Sequence, residues 1–313
     1  MIRIISVLLF IFSISGWAQI ELPKYEANDQ IVRHSAYTLK YNEKYEEADW
    51  VAYKLTKSML ITNTPAKRKN DFKPDPLVLT KSADTHDYAS SGYDRGHLCP
   101  SADFKADQKL MDETFFMSNM TPMEHDFNSG NWEDLEDHER RWAIDNGEIY
   151  IVTGPILKDE PQEYIGKKNR VAVAKRFFKV ILDYREPELK MIAFVVPHKG
   201  GLDDISIYAM TVREAEKITG FDFFSTLPKD IQDKLETELD FQKWGLHTPS
   251  TRYNQKAETV SNTPEARPLS PRPQGASNVN EDQIVLYVLA GLGIVLVVLG
   301  IVIFIGLRMN KRK

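Results

Sequence analysis

Three runs in the second half of the chain are rich in β-branched and aromatic residues and predict strands. They are Glu148 to Thr153, Val171 to Asp183 and Lys190 to Val196, and residues of these types favour the pleated, half-buried surface of a β-sheet. The last two runs are separated by Tyr184 to Leu189, a short stretch that contains Pro187. This arrangement predicts a hairpin.

Two other segments repeat their apolar residues with helical spacing. Trp132 to Asn146 predicts one helix, and Gly147 follows it as the expected stop. Ile205 to Thr219 predicts a second helix that ends at Gly220. Strands and helices are mixed without βαβ regularity, so the pattern favours an α+β domain.

The beginning of the chain has the layout of a secretory signal peptide. Arg3 precedes an apolar run from Ile4 to Phe12, and small residues follow up to Ala18. We expect residues 1–18 to be a signal peptide cut after Ala18. The alternative is an uncleaved membrane anchor, which is disfavoured because the run is shorter than the roughly 20 residues that a spanning helix needs.

The other end of the chain predicts a membrane anchor. Ile284 to Leu307 contains no charged residue and is long enough for a transmembrane helix, and residues 308–313 form a basic tail that the positive-inside bias places in the cytoplasm. Residues 245–283 are polar and rich in proline, as expected of an extended linker. We therefore expect a globular domain, 19–244, on the periplasmic or extracellular side of the cytoplasmic membrane.

Composition narrows the class of protein only a little. Of the 313 residues, 42% are hydrophobic and 27% charged, which excludes a wholly disordered chain. Cys99 is the one cysteine, so neither an intramolecular disulfide nor a cysteine-based zinc site can form. The net charge of −5 means that nucleic-acid binding would require a locally basic face.

Two stretches supply such basic side chains. One contains Lys67, Arg68, Lys69 and Lys73, and the other contains Lys167, Lys168, Arg170, Lys175, Arg176 and Lys179 without an acidic residue between Gly166 and Leu182. Cations clustered on an acidic protein are typical of binding to a phosphate backbone. Lysines that protect the edge of a sheet are an equal alternative for the second stretch.

The first candidate for chemistry is Asp94-Arg95-Gly96-His97. It places a carboxylate, a permanent cation and a side chain that titrates near neutral pH side by side. On an extended segment Arg95 and His97 point to the same face, and Gly96 allows the backbone to approach a ligand closely. The alternative is a histidine in a surface salt-bridge cluster.

The second candidate group lies about thirty residues later. Asn128 stands at the start of the predicted helix, and Glu136 and Arg140 are four residues apart on one of its faces. The ordinary interpretation is an N-cap and a solvated ion pair.

Together the two groups resemble the DNA/RNA non-specific endonucleases. The DRGH signature, its flanks Ser91-Gly92-Tyr93 and Pro100, and the block from Asn119 to Glu136 are similar to the family's motifs, and the resemblance extends over roughly Tyr37 to Phe224. It implies a ββα-metal fold with a mixed or antiparallel sheet. It also implies hydrolysis of phosphodiester bonds in DNA and RNA without strong sequence preference.

The resemblance implies roles for individual residues as well. His97 would be the general base, Asn128 the direct ligand of Mg²⁺ (or Mn²⁺), and Glu136 a residue that holds metal-bound water. Arg140 would be an electrostatic partner, Asp94 and Arg95 would support the site, and Arg68 would bind the substrate backbone. Lys175, from the second basic stretch, is the other predicted substrate-binding cation. Two departures from the family pattern, Cys99 and the pair Met123-Glu124, are expected to alter the floor or mouth of the cleft.

General chemistry agrees with these roles. Hydrolysis of a phosphodiester requires a base for the attacking water and positive charge near the phosphoryl group. An imidazole with an ordinary pKa of about 6.5 is neutral near pH 7, and Mg²⁺ prefers oxygen ligands. The expected protein is a membrane-anchored endonuclease. The rivals are a catalytically silent nucleic-acid-binding module and a membrane-anchored scaffold.

Overall fold

The computed structural model describes residues 19–158, 161, 163–202 and 204–249. The strands, in chain order, are β1 (Gln30–Arg33), β2 (Thr38–Asn42), β3 (Glu47–Thr56), β4 (Asp94–His97), β5 (Met120–Met123), β6 (Glu148–Pro155), β7 (Glu163–Ile165), β8 (Val171–Val173), β9 (Arg176–Asp183), β10 (Lys190–Pro197) and β11 (Ala209–Met210). The helices are α1 (Lys57–Leu60), α2 (Thr85–Tyr88), α3 (Gln108–Glu113), α4 (Glu133–Asn146), α5 (Val212–Thr219) and α6 (Lys229–Leu235).

Several expectations fall outside these residues. They are the signal peptide at 1–18, the transmembrane helix at 284–307, the basic tail at 308–313 and all but the first five residues of the linker. Of the helices that are described, none has the length and apolar character to cross a membrane.

Seven strands form the main sheet in the order β1-β2-β3-β6-β9-β10-β11, and every neighbouring pair is antiparallel. β9 and β10 are buried on both faces, which explains why their sequences are almost continuously apolar. Side chains alternate between the faces with a period of two. Phe177 and Ile181 pack in the cluster that contains α4, whereas Phe178 and Leu182 pack with α5 and α6.

The predicted hairpin is confirmed, but one of its strands is shorter than expected. β9 and β10 pair from Lys190 opposite Asp183 to Pro197 opposite Arg176. The prediction of a single strand over Val171 to Asp183 is wrong, because the strand is interrupted at Ala174 and Lys175. The carbonyl groups of both residues bind His198 instead, one through its ring and one through its backbone N–H. β8 consequently pairs with β7, outside the main sheet.

The first predicted helix is confirmed as α4, which begins one residue later than expected and ends at Gly147 with a φ of 87°. The second is wrong in its first half. Residues 205–208 form a 3₁₀ turn, and β11 then pairs with β10. The α-helix starts only after Thr211, whose side chain accepts a hydrogen bond from the backbone N–H of Glu214 while the Glu214 carboxylate accepts one from Thr211. This capping box sets the start of α5.

One face of the main sheet supports the elements that contain the candidate residues. β4 and β5 form a separate two-stranded sheet, and a wide π-helical turn over Phe127–Trp132 leads into α4. The rings of Phe127 and Trp132 pack on Phe177 of β9 at centroid distances of 5.4 and 5.5 Å. The turn is therefore seated on the hydrophobic core.

Candidate active site

The DRGH residues form β4, an extended strand paired with β5. Asp94 lies opposite Met123 and His97 opposite Met120. Arg95 and His97 line the same cavity, as expected for alternate residues of a strand. Gly96 has a different purpose from the one predicted. A Cβ at this position would lie 2.3 Å from Sδ of Met123, so the missing side chain makes room for that methionine and not for a ligand.

Both ends of β4 are hydrogen bonded to the turn that precedes α4. Asn128 Nδ2 donates to Asp94 Oδ2 at 3.0 Å, and Trp132 Nε1 donates to the carbonyl oxygen of His97 at 3.3 Å. These contacts bring His97 and Asn128 to one cavity of about 200 Å³. Its lining consists of Arg68, Arg95, His97, Pro100, Ser101, Ala102, Asn128, Ser129, Glu133, Glu136 and Arg140.

His97 is buried in this lining, and its Nε2 atom has no hydrogen-bond partner among the described residues. Burial lowers the pKa of His97 to about 3, with the positive charges of Arg68 and Arg95 adding to the effect. The ring packs edge-on against Phe115 at a centroid distance of 5.1 Å. The imidazole is therefore neutral near pH 7, with a nitrogen that no described residue occupies. A surface salt-bridge histidine, the alternative interpretation, does not fit this burial.

Arg68 and Arg95 lie exposed at the same cavity. The Arg95 guanidinium lies 4.4 Å from the ring centroid of Phe72, and that of Arg68 lies 5.4 Å from that of Phe115. Such cation–π contacts orient a cation without neutralising it. The sequence contains no local signal for these two phenylalanines, because they come from separate loops.

Glu136 and Arg140 form an ion pair at 3.8 Å, but the pair is not solvated, since the side chains are only 13% and 11% exposed. Arg140 also contacts Asp103 at 3.0 Å and Asp137 at 2.6 Å. Burial raises the pKa of Glu136 to about 8, against the opposing charges of Lys179 and Arg140. Asp103, which anchors Arg140 and accepts a hydrogen bond from Tyr53, was not predicted from the sequence.

Asn128 is not an N-cap, because it lies inside the π-helical turn and α4 begins five residues later. Its Nδ2 is bound to Asp94, and no described residue donates to its Oδ1. Asn128, Glu133 and Glu136, whose side chains carry oxygen donors, line the same cavity. Oxygen donors of this kind suit Mg²⁺. The described part of the chain has no group of three His, Cys, Asp or Glu side chains that could hold a metal ion.

Comparison with known proteins identifies the family. The model of the DNA/RNA non-specific endonucleases matches residues 18–230. The chain belongs to this family. The match confirms the resemblance and extends beyond its predicted limits at both ends.

Relatives and a solved structure agree with this assignment. The endonuclease is 33% identical to mouse mitochondrial nuclease EXOG over 257 residues, which cover 75% of this chain and 69% of that protein. It is 35% identical to a nuclease of Serratia marcescens over 227 residues, 68% of this chain and 81% of that protein. A crystal structure of the EndoG/EndoGI complex matches with a TM-score of 0.60 and 32% identity, covering 66% of this chain and 89% of that one. The protein is an α+β endonuclease that hydrolyses phosphodiester bonds, and nucleic acid is its substrate, so the catalytically silent alternatives are set aside.

The two basic stretches of the endonuclease differ from expectation in one residue. Lys175 is exposed in the break between β8 and β9, as a substrate-binding cation would be. Lys179 is not at the surface. It is 0% exposed and forms an ion pair with Glu139 of α4 at 2.9 Å, with its ammonium group 4.6 Å from the ring centroid of Trp132. Its inclusion among the surface cations was therefore wrong.

The departures from the family pattern do not line the cavity of the endonuclease. Cys99 is fully buried, and its backbone N–H and C=O are both bound by the side chain of Asn119. Met123 is buried against Gly96, and Glu124 is exposed with its backbone N–H donating to His198. The expectation that these residues alter the floor or mouth of the cleft is not met for the two buried ones.

Proposed function

We propose that this endonuclease cleaves DNA and RNA with His97 as the general base and with a divalent cation, Mg²⁺ or Mn²⁺, held by Asn128. The observation on which the proposal depends is that one cavity is lined by both Asn128 and His97, whose Nε2 has no hydrogen-bond partner among the described residues. The family is generally metal-dependent. The donor chemistry of the cavity agrees with a cation at this position.

We assign separate roles in the reaction to residues that line the cavity. His97 is neutral and accepts the proton of the attacking water at Nε2. Arg68 and Arg95, exposed at the rim, bind phosphate oxygens of the backbone and favour the charge that develops during the reaction. When bound, Mg²⁺ adds positive charge against the phosphoryl group and the departing oxygen.

Asp94 and Arg140 act by positioning. Asp94 Oδ2 accepts hydrogen bonds from Asn128 at 3.0 Å and from His125 Nδ1 at 2.8 Å. The bond to Asn128 commits the amide NH₂ and leaves the oxygen for the cation. Arg140, anchored by Asp103, lies beside the Glu136 carboxylate and favours its ionised form.

The same arrangement of cations explains why we expect the enzyme to have low sequence preference. The cations that we assign to substrate contact are Arg68, Arg95 and Lys175, and their natural partners are phosphates, which carry no sequence information. Binding of this kind depends on charge and not on bases. We therefore propose low sequence preference on both nucleic acids.

A direct test uses the purified full-length chain with plasmid DNA and with RNA. We expect cleavage of both in Mg²⁺ and none in excess EDTA. Asn128→Ala should raise the Mg²⁺ concentration that gives half-maximal rate by about tenfold or more, since the single proposed protein ligand is lost. An unchanged Mg²⁺ titration would assign the ligand elsewhere, and equal cleavage in EDTA would refute the metal-dependent reaction.

We also propose that residues 284–307 anchor the enzyme in the cytoplasmic membrane, with the nuclease domain on the periplasmic or extracellular side. The support is the uncharged sequence of that segment and the basic residues that follow it. We expect the full chain to stay in the membrane pellet after alkaline carbonate extraction and the domain to be digested by protease added from the outer side. Release by carbonate would exclude the anchor.

A further inference from the structure

The loop that follows β10 contacts the segment containing Asn128 on both sides of that residue. Before Asn128, His198 Nε2 accepts a hydrogen bond from the Glu124 backbone N–H at 2.7 Å. After it, Asn131 Nδ2 donates to the Leu202 carbonyl at 3.1 Å, and the Leu202 N–H donates to Asn131 Oδ1 at 3.0 Å. The 198–202 loop thus brackets the 124–131 segment.

Between these hydrogen bonds the two backbones are in close contact. A Cβ placed on Gly200 would lie 2.3 Å from Cβ of Asp126 and 2.8 Å from its carbonyl carbon. Only glycine permits this approach. Asn128 follows Asp126 by two residues, so the loop supports the segment directly before the proposed ligand.

The 124–131 segment needs such support because its own backbone is irregular. The turn over Phe127–Trp132 is π-helical, lacks a side-chain cap, and is interrupted at Gly130 with φ −125° and ψ −112°. Wide turns of this kind have weaker local hydrogen bonding than an α-helix. A metal ligand must nevertheless be held within about 0.5 Å of its productive position.

The histidine in this arrangement acts as a neutral ring. Its Nδ1 lies 2.8 Å from the carbonyl oxygen of Ala174, which requires a proton on Nδ1, and its Nε2 accepts from Glu124, which requires none there. The ring is also held edge-on between Phe127 and Phe177, at centroid distances of 5.2 and 5.0 Å. An imidazolium would carry an N–H at Nε2 that points at the Glu124 N–H. Because both groups are donors, this hydrogen bond would be lost.

We propose that His198 and Asn131 are positioning residues that hold the Asn128 ligand in place through the 198–202 loop, and that a proton on His198 Nε2 releases the Glu124 side of this support. The inference rests on the proposed role of Asn128. It assigns to a histidine outside the cavity an influence on cation binding.

Four residues from separate segments of the chain surround His198, and two of them are carboxylates. Glu124 and Glu163 favour its protonated form, the Tyr93 ring lies 6.1 Å from it between centroids, and Lys175 contributes the carbonyl that accepts from the His198 backbone N–H. Burial outweighs the carboxylates and lowers the pKa of His198 below 6.5. Release should accordingly set in as the pH falls below 6.5.

The experiment measures Mn²⁺ binding to the full-length chain by electron paramagnetic resonance of the free ion, without substrate, from pH 8 to pH 5. His198→Gln keeps an acceptor for the Glu124 N–H but does not titrate. Wild type and His198→Gln should bind equally at pH 8. As the pH falls and His198 takes up its proton, the wild type should bind increasingly more weakly than His198→Gln, by up to about five- to tenfold, as expected for one lost hydrogen bond of about 1 kcal/mol or slightly more. Other titrating groups affect both proteins and cancel in the comparison.

Three further variants complete the test. His198→Ala and Asn131→Ala should weaken Mn²⁺ binding at every pH, whereas His86→Gln, at a histidine whose side chain is 92% exposed, should behave as wild type. Superimposable wild-type and His198→Gln curves, with Asn128→Ala still weak, would overturn the positioning inference alone. Unchanged binding in Asn128→Ala would instead refute the proposed metal ligand, and the inference with it.

Discussion

At the scale of the residue, the surroundings of His97 give it a pKa different from the ordinary value that its sequence motif alone suggests. An exposed histidine near its ordinary pKa of about 6.5 would be half protonated in mildly acidic solution and would lose its function as a base there. In the structure, burial and the charges of Arg68 and Arg95 lower the pKa of His97 to about 3. His97 therefore remains neutral well below the pH at which a free imidazole takes up a proton.

This difference predicts the shape of the pH profile. With Mg²⁺ at saturation, kcat/KM should show no acid limb centred near pH 6.5, because kcat/KM reports the groups of the free enzyme and His97 takes up a proton only far below that value. The sign follows from the lowered pKa, since protonation removes the base and occurs later in an acid titration than for a free imidazole. The measurement is the rate of plasmid nicking between pH 5 and pH 8.

The same profile tests whether His97 is the base at all. His97→Ala should lower the rate by about 10² or more, and His86→Ala, at an exposed site, should leave it unchanged. An acid limb centred near pH 6.5 in the wild type at saturating metal would indicate a base with an ordinary pKa. A near-native rate for His97→Ala would assign the proton transfer to another group.

At the scale of the element, local patterns predicted α4 and three of the seven strands of the main sheet, but not the other four strands or the places where distant residues decide the backbone. β6, β9 and β10 follow from their apolar runs, since continuous burial needs no partner to be recognised. The break at Ala174 and Lys175 does not, because the groups that occupy those carbonyls belong to His198, 23 residues or more along the chain. The prediction of a helix over Ile205 to Thr219 was wrong in its first half, because the helical spacing of apolar residues begins before Thr211, whereas the capping box at Thr211 starts α5 only there.

Lys179 is an example of a residue whose burial the pattern of charges in the sequence does not predict. Lys179 belongs to a basic stretch. It nevertheless lies on the same face of β9 as Phe177 and Ile181, because residues two apart in a strand share a face, and so it faces the core below α4. A lysine is buried in such a position only with a partner. That partner, Glu139, lies forty residues earlier in the sequence, and nothing in the sequence near Lys179 indicates it.

At the scale of the whole molecule, the candidate active site depends on pairings that no single segment encodes. The DRGH strand and the Asn128 turn were predicted to cooperate through a family resemblance, and the structure brings them to one cavity through the Asp94–Asn128 and His97–Trp132 hydrogen bonds. The aromatic supports of Arg68 and Arg95, and the loop that brackets Asn128, come from regions that carry no motif. Residues of the motifs, including Asp94 and Arg140, were thus predictable, whereas the residues outside the motifs that support them were not.

Charge is the other property of the whole molecule, and it predicts how substrate binding responds to salt. The chain has a net charge of −5, so attraction to nucleic acid must come from local cations such as Lys175, which is exposed beside the 198–202 loop. If Lys175 contacts one phosphate, Lys175→Ala should weaken binding and make the slope of log K against log salt shallower by about 1. Lys24→Ala, at an exposed lysine whose backbone bonds to Asp222 on the side of α5 and α6, is the matched control.

Binding should be measured with the full-length His97→Ala chain, so that the nucleic acid stays intact, on DNA duplexes of different sequence. The loss should be nearly the same for each sequence, because a phosphate contact carries no information about the bases. A loss confined to one sequence would mean that Lys175 reads a base edge. An unchanged salt slope would place the substrate on the other basic stretch, around Arg68, where the cations lie at the rim of the cavity itself.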